Sequence, residues 1–228
     1  MQSFKPHLEV LPPAQRKLWP ELSGVPGEFV LYGGTALALH LGHRDSVDFD
    51  FFSNRAINVA GLEAKIPFLK GARIIQRETN TLSVVVERGG GVQISFFGVP
   101  SLPRLMQPHV ATDNGLKIAS LIDLAGTKAS VVQLRAEAKD YVDLDALLRL
   151  GKVDLGTALA AAQKIYGPSF NPETTLKALS YFDDGDLRKL PEELKLRLVV
   201  AARDVDLEHL PEIDRLTLRR DLDHGYEL

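Results

Sequence analysis

Apolar positions recur in two rhythms along this chain, and the change of rhythm divides it. In the first hundred residues the apolar runs are short and bounded by turn residues. Residues 28–32 (EFVLY) predict a strand that ends at Gly33-Gly34. Residues 35–41 (TALALHL) are Ala/Leu-rich and predict a helix, with Thr35 as N-cap and Gly42 as its stop. Residues 47–52 (VDFDFF) alternate. That pattern predicts a strand with Asp48 and Asp50 on one face and Val47, Phe49 and Phe51 on the other, and these apolar residues with Phe52 mark it as well buried. A helix is expected over residues 58–69, ending near Pro67. Strands are expected over 72–78, 81–87 and 92–97 (VQISFF), with Asn80 in the first turn and the Gly89–Gly91 triplet in the second, as an antiparallel meander. A short helix after Pro12-Pro13 should break near Pro20.

After Pro100, Pro103 and Pro108 the rhythm becomes helical, and from Ser120 onward Ala/Leu-rich segments are separated by Gly and Pro. The expected boundary falls near residues 110–118. Residues 1–112 then form an α/β domain with a mixed sheet and residues 113–228 an all-helical one, so the fold class is α+β.

With 228 residues, 45% hydrophobic and 25% charged, the chain has the composition of a globular protein. No apolar run approaches the roughly 20 residues that cross a membrane, and the first twenty residues hold no apolar segment of the secretory kind. The absence of cysteine excludes disulfides and thiolate metal sites and fits a cytoplasmic setting. A formal net charge of -3 argues against a global positive field for nucleic acid and leaves room for a local one.

The chemistry concentrates in residues 32–53. Backbone N–H groups at a glycine turn that opens a helix can point at phosphate oxygens, aided by the helix dipole, so Gly33, Gly34 and the Thr35 hydroxyl are candidate phosphate donors. This is neither a P-loop nor the dinucleotide fingerprint. Two carboxylates at i and i+2 of a strand project together and repel, and Mg²⁺ suits such a pair, leaving positions for water and substrate phosphate. Asp48 and Asp50 are therefore candidate metal ligands. Arg44, four residues upstream, can pair with an aspartate or reach a phosphate, and Ser46 is a further nucleotide-binding candidate. His40 and His43 flank this loop and are expected to pack or touch phosphate rather than bind metal.

A second block lies downstream. Ser120 and Asp123 match a capping box in position. Leu121, Leu124, Ala125, Lys128, Ala129 and Val132 fall at helical spacing, which puts Lys128 on or beside the buried stripe. A lysine there needs a carboxylate or phosphate partner unless it snorkels to solvent. In the next helix Asp140 and Asp143 lie one turn apart and can both face the cleft. The default expectation for Asp143 and Asp145 is a solvated face.

Gly33-Gly34-Thr35 followed by Asp48-Phe49-Asp50 resembles the signature of the polymerase-β-like nucleotidyltransferases. The wording GGTALALHLGHRDSVDFDFF resembles the AbiEii/AbiGii toxins of type IV toxin–antitoxin systems. Residues 117–148 are similar to that family's second pattern: a helical lysine, an arginine, then Lys-Asp-Tyr-x-Asp-Leu. The resemblance implies that Gly33, Gly34 and Thr35 hold a nucleoside triphosphate and that Asp48 and Asp50 bind Mg²⁺. It implies further that Lys128 contacts phosphate and that Asp140 completes the site. It also implies transfer of a nucleotide to an RNA acceptor such as a tRNA 3′ end, opposed by a cognate antitoxin.

One position departs from the superfamily. The strand expected to carry a third carboxylate offers Gln93 and Ser95 instead, so Asp140 is the expected replacement. Two rival readings follow: a small-molecule nucleotidyltransferase of the aminoglycoside type, and a catalytically weak nucleotide- or partner-binding protein. A basic groove favours RNA and an acidic pocket an aminoglycoside. Arg188-Lys189, Lys195 with Arg197, and residues 215–220 (RLTLRR) are candidates for a basic face.

Overall fold

The structure is a computed structural model and describes residues 2–213. Residues 215–220 of the expected basic face lie outside the described residues. Among these residues the strands are β1 (Ser3–Phe4), β2 (Val30–Tyr32), β3 (Phe49–Ser53), β4 (Arg73–Glu78), β5 (Thr81–Glu87), β6 (Gly91–Gly98), β7 (His109–Ala111) and β8 (Lys117–Ile118). They form one mixed sheet in the order β1-β7-β8-β2-β3-β6-β5-β4. The centre is mixed because β2 runs antiparallel to β3 and parallel to β8, while β3 runs parallel to β6. The expected meander is present as β4, β5 and β6, antiparallel throughout, and Asn80 turns the first hairpin at φ 61°.

The helices are α1 (Pro13–Leu18), α2 (Gly33–Leu41), α3 (Val59–Lys65), α4 (Leu121–Val131), α5 (Ala138–Arg149), α6 (Leu155–Tyr166), α7 (Pro172–Ala178) and α8 (Glu192–Arg203). None of the described helices is long and apolar enough to cross a membrane. Thr35 through Leu39 of α2 are all buried, as a helix apolar on every side should be. It packs between the sheet and α4 and α5. One core cluster contains Phe49, Ile94 and Phe96 of the sheet together with Leu124, Leu144 and Leu159 of the helices. β7 and β8 pair with each other across residue 112, so the sheet takes in Ile118, and the helical run begins at Leu121.

Three local expectations need correction. α2 begins at Gly33 with Tyr32 as N-cap, so Thr35 sits inside the helix. Gly33 at φ 76° makes the tight entry that a residue with a side chain resists. β3 starts at Phe49, so Asp48 precedes the strand, and Val47 is 52% exposed rather than part of the buried face. The reason is the loop before β3, held by Gln15 Nε2 donating to the Val47 carbonyl at 2.7 Å and by Thr35 donating to the Asp48 carbonyl. Strands β1, β7 and β8 had no sequence signal, because two or three residues are too few to show a period.

Gly126 lets α4 lie close against α6. A Cβ there would stand 2.9 Å from Ala161 Cβ and from Ile165 Cδ1. Gly126→Ala is expected to lower stability by about 1–3 kcal/mol through overpacking, less the helix-propensity gain of about 1 kcal/mol. Urea unfolding measures it; an unchanged midpoint would show that the two helices separate freely.

Candidate active site

The site begins where β2 hands over to α2. A helix N-terminus has N–H groups with no partner inside the helix, and here they open beside β3. Asp50 pairs with Tyr32 across β2 and β3, which puts its carboxylate against Gly33: a Cβ on Gly33 would stand 3.2 Å from Asp50 Oδ2. A Cβ on Gly34 would strike the Arg44 guanidinium. The two glycines are thus needed for close approach, Gly33 to an acid and Gly34 to a base. Asp48, exposed, and Asp50, half-buried, sit together at the sheet wall of a cleft of about 600 Å³. Burial pushes the Asp50 carboxyl above its ordinary range, and the Asp48 charge adds to this.

The facing wall is built by the helices. Lys128 of α4 is 6% exposed, so the snorkelling alternative fails; its Nζ lies 2.6 Å from Asp140 Oδ1 and 2.6 Å from Asp143 Oδ2. Asp140 also accepts from Arg135 Nε at 2.7 Å. Asp143 accepts a two-pronged pair from Arg44, Nε at 2.7 Å and Nη2 at 2.8 Å, and a bond from His43 Nε2 at 2.8 Å. Burial alone would raise both acids. For Asp140 the bond from Arg135 and the Lys128 charge reverse this and hold the carboxyl low. For Asp143 the bonds from His43 and Arg44 do the same, holding it well below the carboxylate range. Arg44, Lys128, Arg135 and Lys139 are four cations on three acids, Asp140, Asp143 and Glu137, so this cluster keeps positive charge to offer the cleft.

The residues marked in the sequence therefore come together, but with altered parts. Gly33, Gly34, Thr35, Arg44, Ser46, Asp48, Asp50 and Lys128 all line the cleft. Thr35 and Ser46 are buried, and their hydroxyls lie 2.8 Å apart with Thr35 also donating to the Asp48 carbonyl. The Thr35 hydroxyl is thus committed to shaping the loop rather than to a phosphate. Asp140 lies behind Lys128, 0% exposed, where it orients the ammonium. Asp143 is likewise 0% exposed and Asp145 is 3% exposed, paired with Arg197 at 2.7 Å, so the solvated-face expectation is wrong for both. The missed signal was spacing: 140, 143, 144 and 147 fall on one helical stripe with Leu144 and Leu147. His40 is half-buried, stacked on Phe4 at 4.2 Å, and bonds the Ala119 carbonyl, and desolvation brings its pKa down to about 4. Arg135 and Lys139, which belong to the family pattern but were given no site role from the sequence, also line the cleft, whereas Arg188, Lys189, Lys195 and Arg197 do not.

On β6, Ser95 is the register partner of Asp50, and Ser83 of β5 is the register partner of Ser95, with the two hydroxyls 3.1 Å apart. The position beside Asp50 thus holds a buried hydroxyl. No cluster of three or more His, Cys, Asp or Glu side chains placed to hold a metal occurs among the described residues.

The family profile described as the nucleotidyl transferase AbiEii toxin of type IV toxin–antitoxin systems matches residues 21–216. The chain belongs to the AbiEii nucleotidyltransferase toxin family. It is a nucleotidyltransferase of α+β fold. A protein of Aquifex aeolicus (strain VF5), uncharacterized aq_aa25, is 32% identical over 163 residues, 71% of this chain and 77% of that one. Among solved structures, an H. pylori protein assigned as a nucleotidyltransferase aligns over 83% of this chain and 90% of its own, at 22% identity and TM-score 0.51, a likeness of fold. MenT4, a nucleotidyltransferase toxin of Mycobacterium tuberculosis H37Rv, aligns over 83% of each chain at 13% identity and TM-score 0.49.

For this AbiEii-family chain the buried cluster makes two predictions. Asp143→Ala leaves Arg44 and Lys128 without their shared partner and should cost about 3–5 kcal/mol of stability in urea unfolding, against a small effect for the exposed Asp45→Ala. The depressed Asp143 carboxyl contributes stability that is fully present above the unfolded value near 4 and is lost as pH falls toward its folded value. Asp143→Asn should therefore flatten the acid limb of stability below about pH 4; an unaltered limb would remove Asp143 as its source.

Proposed function

We propose that the chain transfers a nucleotide from an NTP to a hydroxyl at an RNA end, most simply a tRNA 3′ end, in the cytoplasm, as the toxin opposed by a cognate antitoxin. The observation that carries this reading is the pairing of two carboxylates on one wall with a cationic wall opposite, at the N-terminus of α2. A triphosphate needs both. The carboxylates supply a metal site, and the cations and helix N–H groups supply charge for phosphate oxygens.

Asp48 and Asp50 fit Mg²⁺, since hard oxygen donors in a pair leave room for waters and phosphate. When bound there, the ion stabilises charge on the phosphoryl oxygens and acidifies the acceptor hydroxyl. The chain's own groups do the rest. The N–H groups of Gly33 and Gly34 and the Lys128 ammonium hold the β- and γ-phosphates, with Arg44 beside them. The acceptor oxygen forms a bond to the α-phosphorus as the α–β bridge bond breaks, and pyrophosphate departs toward Lys128 and Arg135. The hydroxyl proton leaves to water at the exposed Asp48 end of the cleft. Asp140 does not take it, because Arg135 and Lys128 hold its carboxyl low; its work is to aim Lys128.

The character of the cleft supports RNA over an aminoglycoside. Beyond the Asp48/Asp50 pair its lining carries Arg44, Lys128, Arg135 and Lys139 against Asp45, which suits a polyanion. Labelled NTPs, Mg²⁺ and total tRNA should give label transfer, and Asp48→Ala should reduce it about a hundredfold or more. The absence of transfer by the wild type, or transfer undiminished in the variant, would refute the assignment.

A further inference from the structure

The sheet wall of the cleft is laid out as a grid. Asp50 and Phe52 alternate along β3, with Asp48 in the loop just before it, and Gln93, Ser95 and Phe97 alternate along β6. The parallel register places Asp50 beside Ser95 and Phe52 beside Phe97. One row is therefore acid and hydroxyl. The next row, about 7 Å along both strands, is a pair of aromatic rings.

Those rings are 4.9 Å apart and tilted by 31°, and Tyr32 meets Phe52 edge-on at 5.4 Å. Both phenylalanines are half-buried and line the same cleft as the acid pair, together with Leu102 and Tyr166. The core does not account for the pair: Phe52 only flanks it, beside Tyr32, and Phe97 stands outside the core cluster. The fully buried residues of these strands lie on the other face, where Phe49, Phe51, Ile94 and Phe96 are 0% exposed. An aromatic pair on a wet wall, one step from a metal-type acid pair, calls for a ligand with a flat apolar face.

We propose that Phe52 and Phe97 form a nucleobase-stacking slot. This rests on the nucleotidyl-transfer reading above and adds the residues that hold the base. A sugar spans the distance between a base and its 5′-phosphate, and a step of about 7 Å separates the slot from the Asp50 row. A base stacked on the rings thus leaves its phosphate or its 3′-hydroxyl over Asp50. Stacking on aromatic side chains is worth enough per base to matter, and it tolerates any base because every base has a π face. Two sources share this chemistry: the base of the incoming NTP and the terminal base of the acceptor.

Calorimetric titration of the full chain with each Mg–NTP and with Mg–tripolyphosphate, which has no base, tests the slot. Phe97→Ala should weaken NTP binding about tenfold or more and leave tripolyphosphate binding unchanged, while Phe97→Tyr retains it. Phe52→Leu should repeat the loss, and thermal unfolding reports whether each variant is folded. If NTP binding survives in Phe97→Ala but the KM for the RNA acceptor rises by the same factor, the slot holds the acceptor's base. NTP and acceptor parameters both unmoved in folded variants would overturn the slot and leave the transfer reading standing. A wild type that binds neither NTP nor tripolyphosphate would overturn both.

Discussion

A single buried carboxylate, Asp143, joins the two walls of the cleft. It reaches Arg44 and His43 in the loop before β3 and Lys128 on α4, so three segments distant in sequence meet on two oxygens. An ionised group removed from water survives only if partners replace its hydration. That demand turns a local contact into a constraint on the whole molecule. The loop that carries Asp48 cannot move without breaking bonds to Asp143, and Lys128 cannot move without withdrawing a cation from two buried acids.

The same arrangement organises the electrostatics. Acids face the cleft from the edge of β3, and cations face it from α4, α5 and the loops before β3 and α5, each group tied down from behind. Asp140 and Asp143 stand behind Lys128 and Arg44, and the Ser83–Ser95 hydroxyl pair stands beside Asp50. Charges that are already oriented need no rearrangement when a charged substrate arrives, which is the condition for strong electrostatic stabilisation. Asp140 and Asp143 are depressed and the cleft acid Asp50 is raised, so similar carboxyls serve different ends by their surroundings alone. This order requires a set of buried charges, offset by the continuous apolar core that α2, α4 and α5 share with the sheet.

Much of this was legible in the chain. The helix after the glycine turn, its stop at Gly42, the meander and the cap at Ser120 follow from local chemistry, and each is present. Asp48 and Asp50 were marked by their spacing, and Lys128 by its place on an apolar stripe. The misread groups were those whose meaning depends on distant partners. Asp143 looked like surface charge because its three partners come from two other segments. Thr35 looked like a cap and a phosphate donor because Ser46 and the Asp48 carbonyl, which occupy its hydroxyl, lie beyond the helix. Phe52 was counted toward a well-buried strand, whereas it is half-buried, touching the core and lining the cleft at once.

The sequence alone determined the local conformations and the kinds of chemical group available: a glycine turn, paired acids, a lysine on a buried stripe, and the family these patterns share. Those depend on backbone preference and on spacing within one segment, which the chain states directly. The tertiary structure alone decided which acids are exposed to substrate and which are committed to holding a cation. It also decided that a serine stands beside Asp50 and that aromatic rings line the next row of the sheet. The physical reason is that burial and register are set by segments packed from far apart, and a carboxylate's role follows from its neighbours in space.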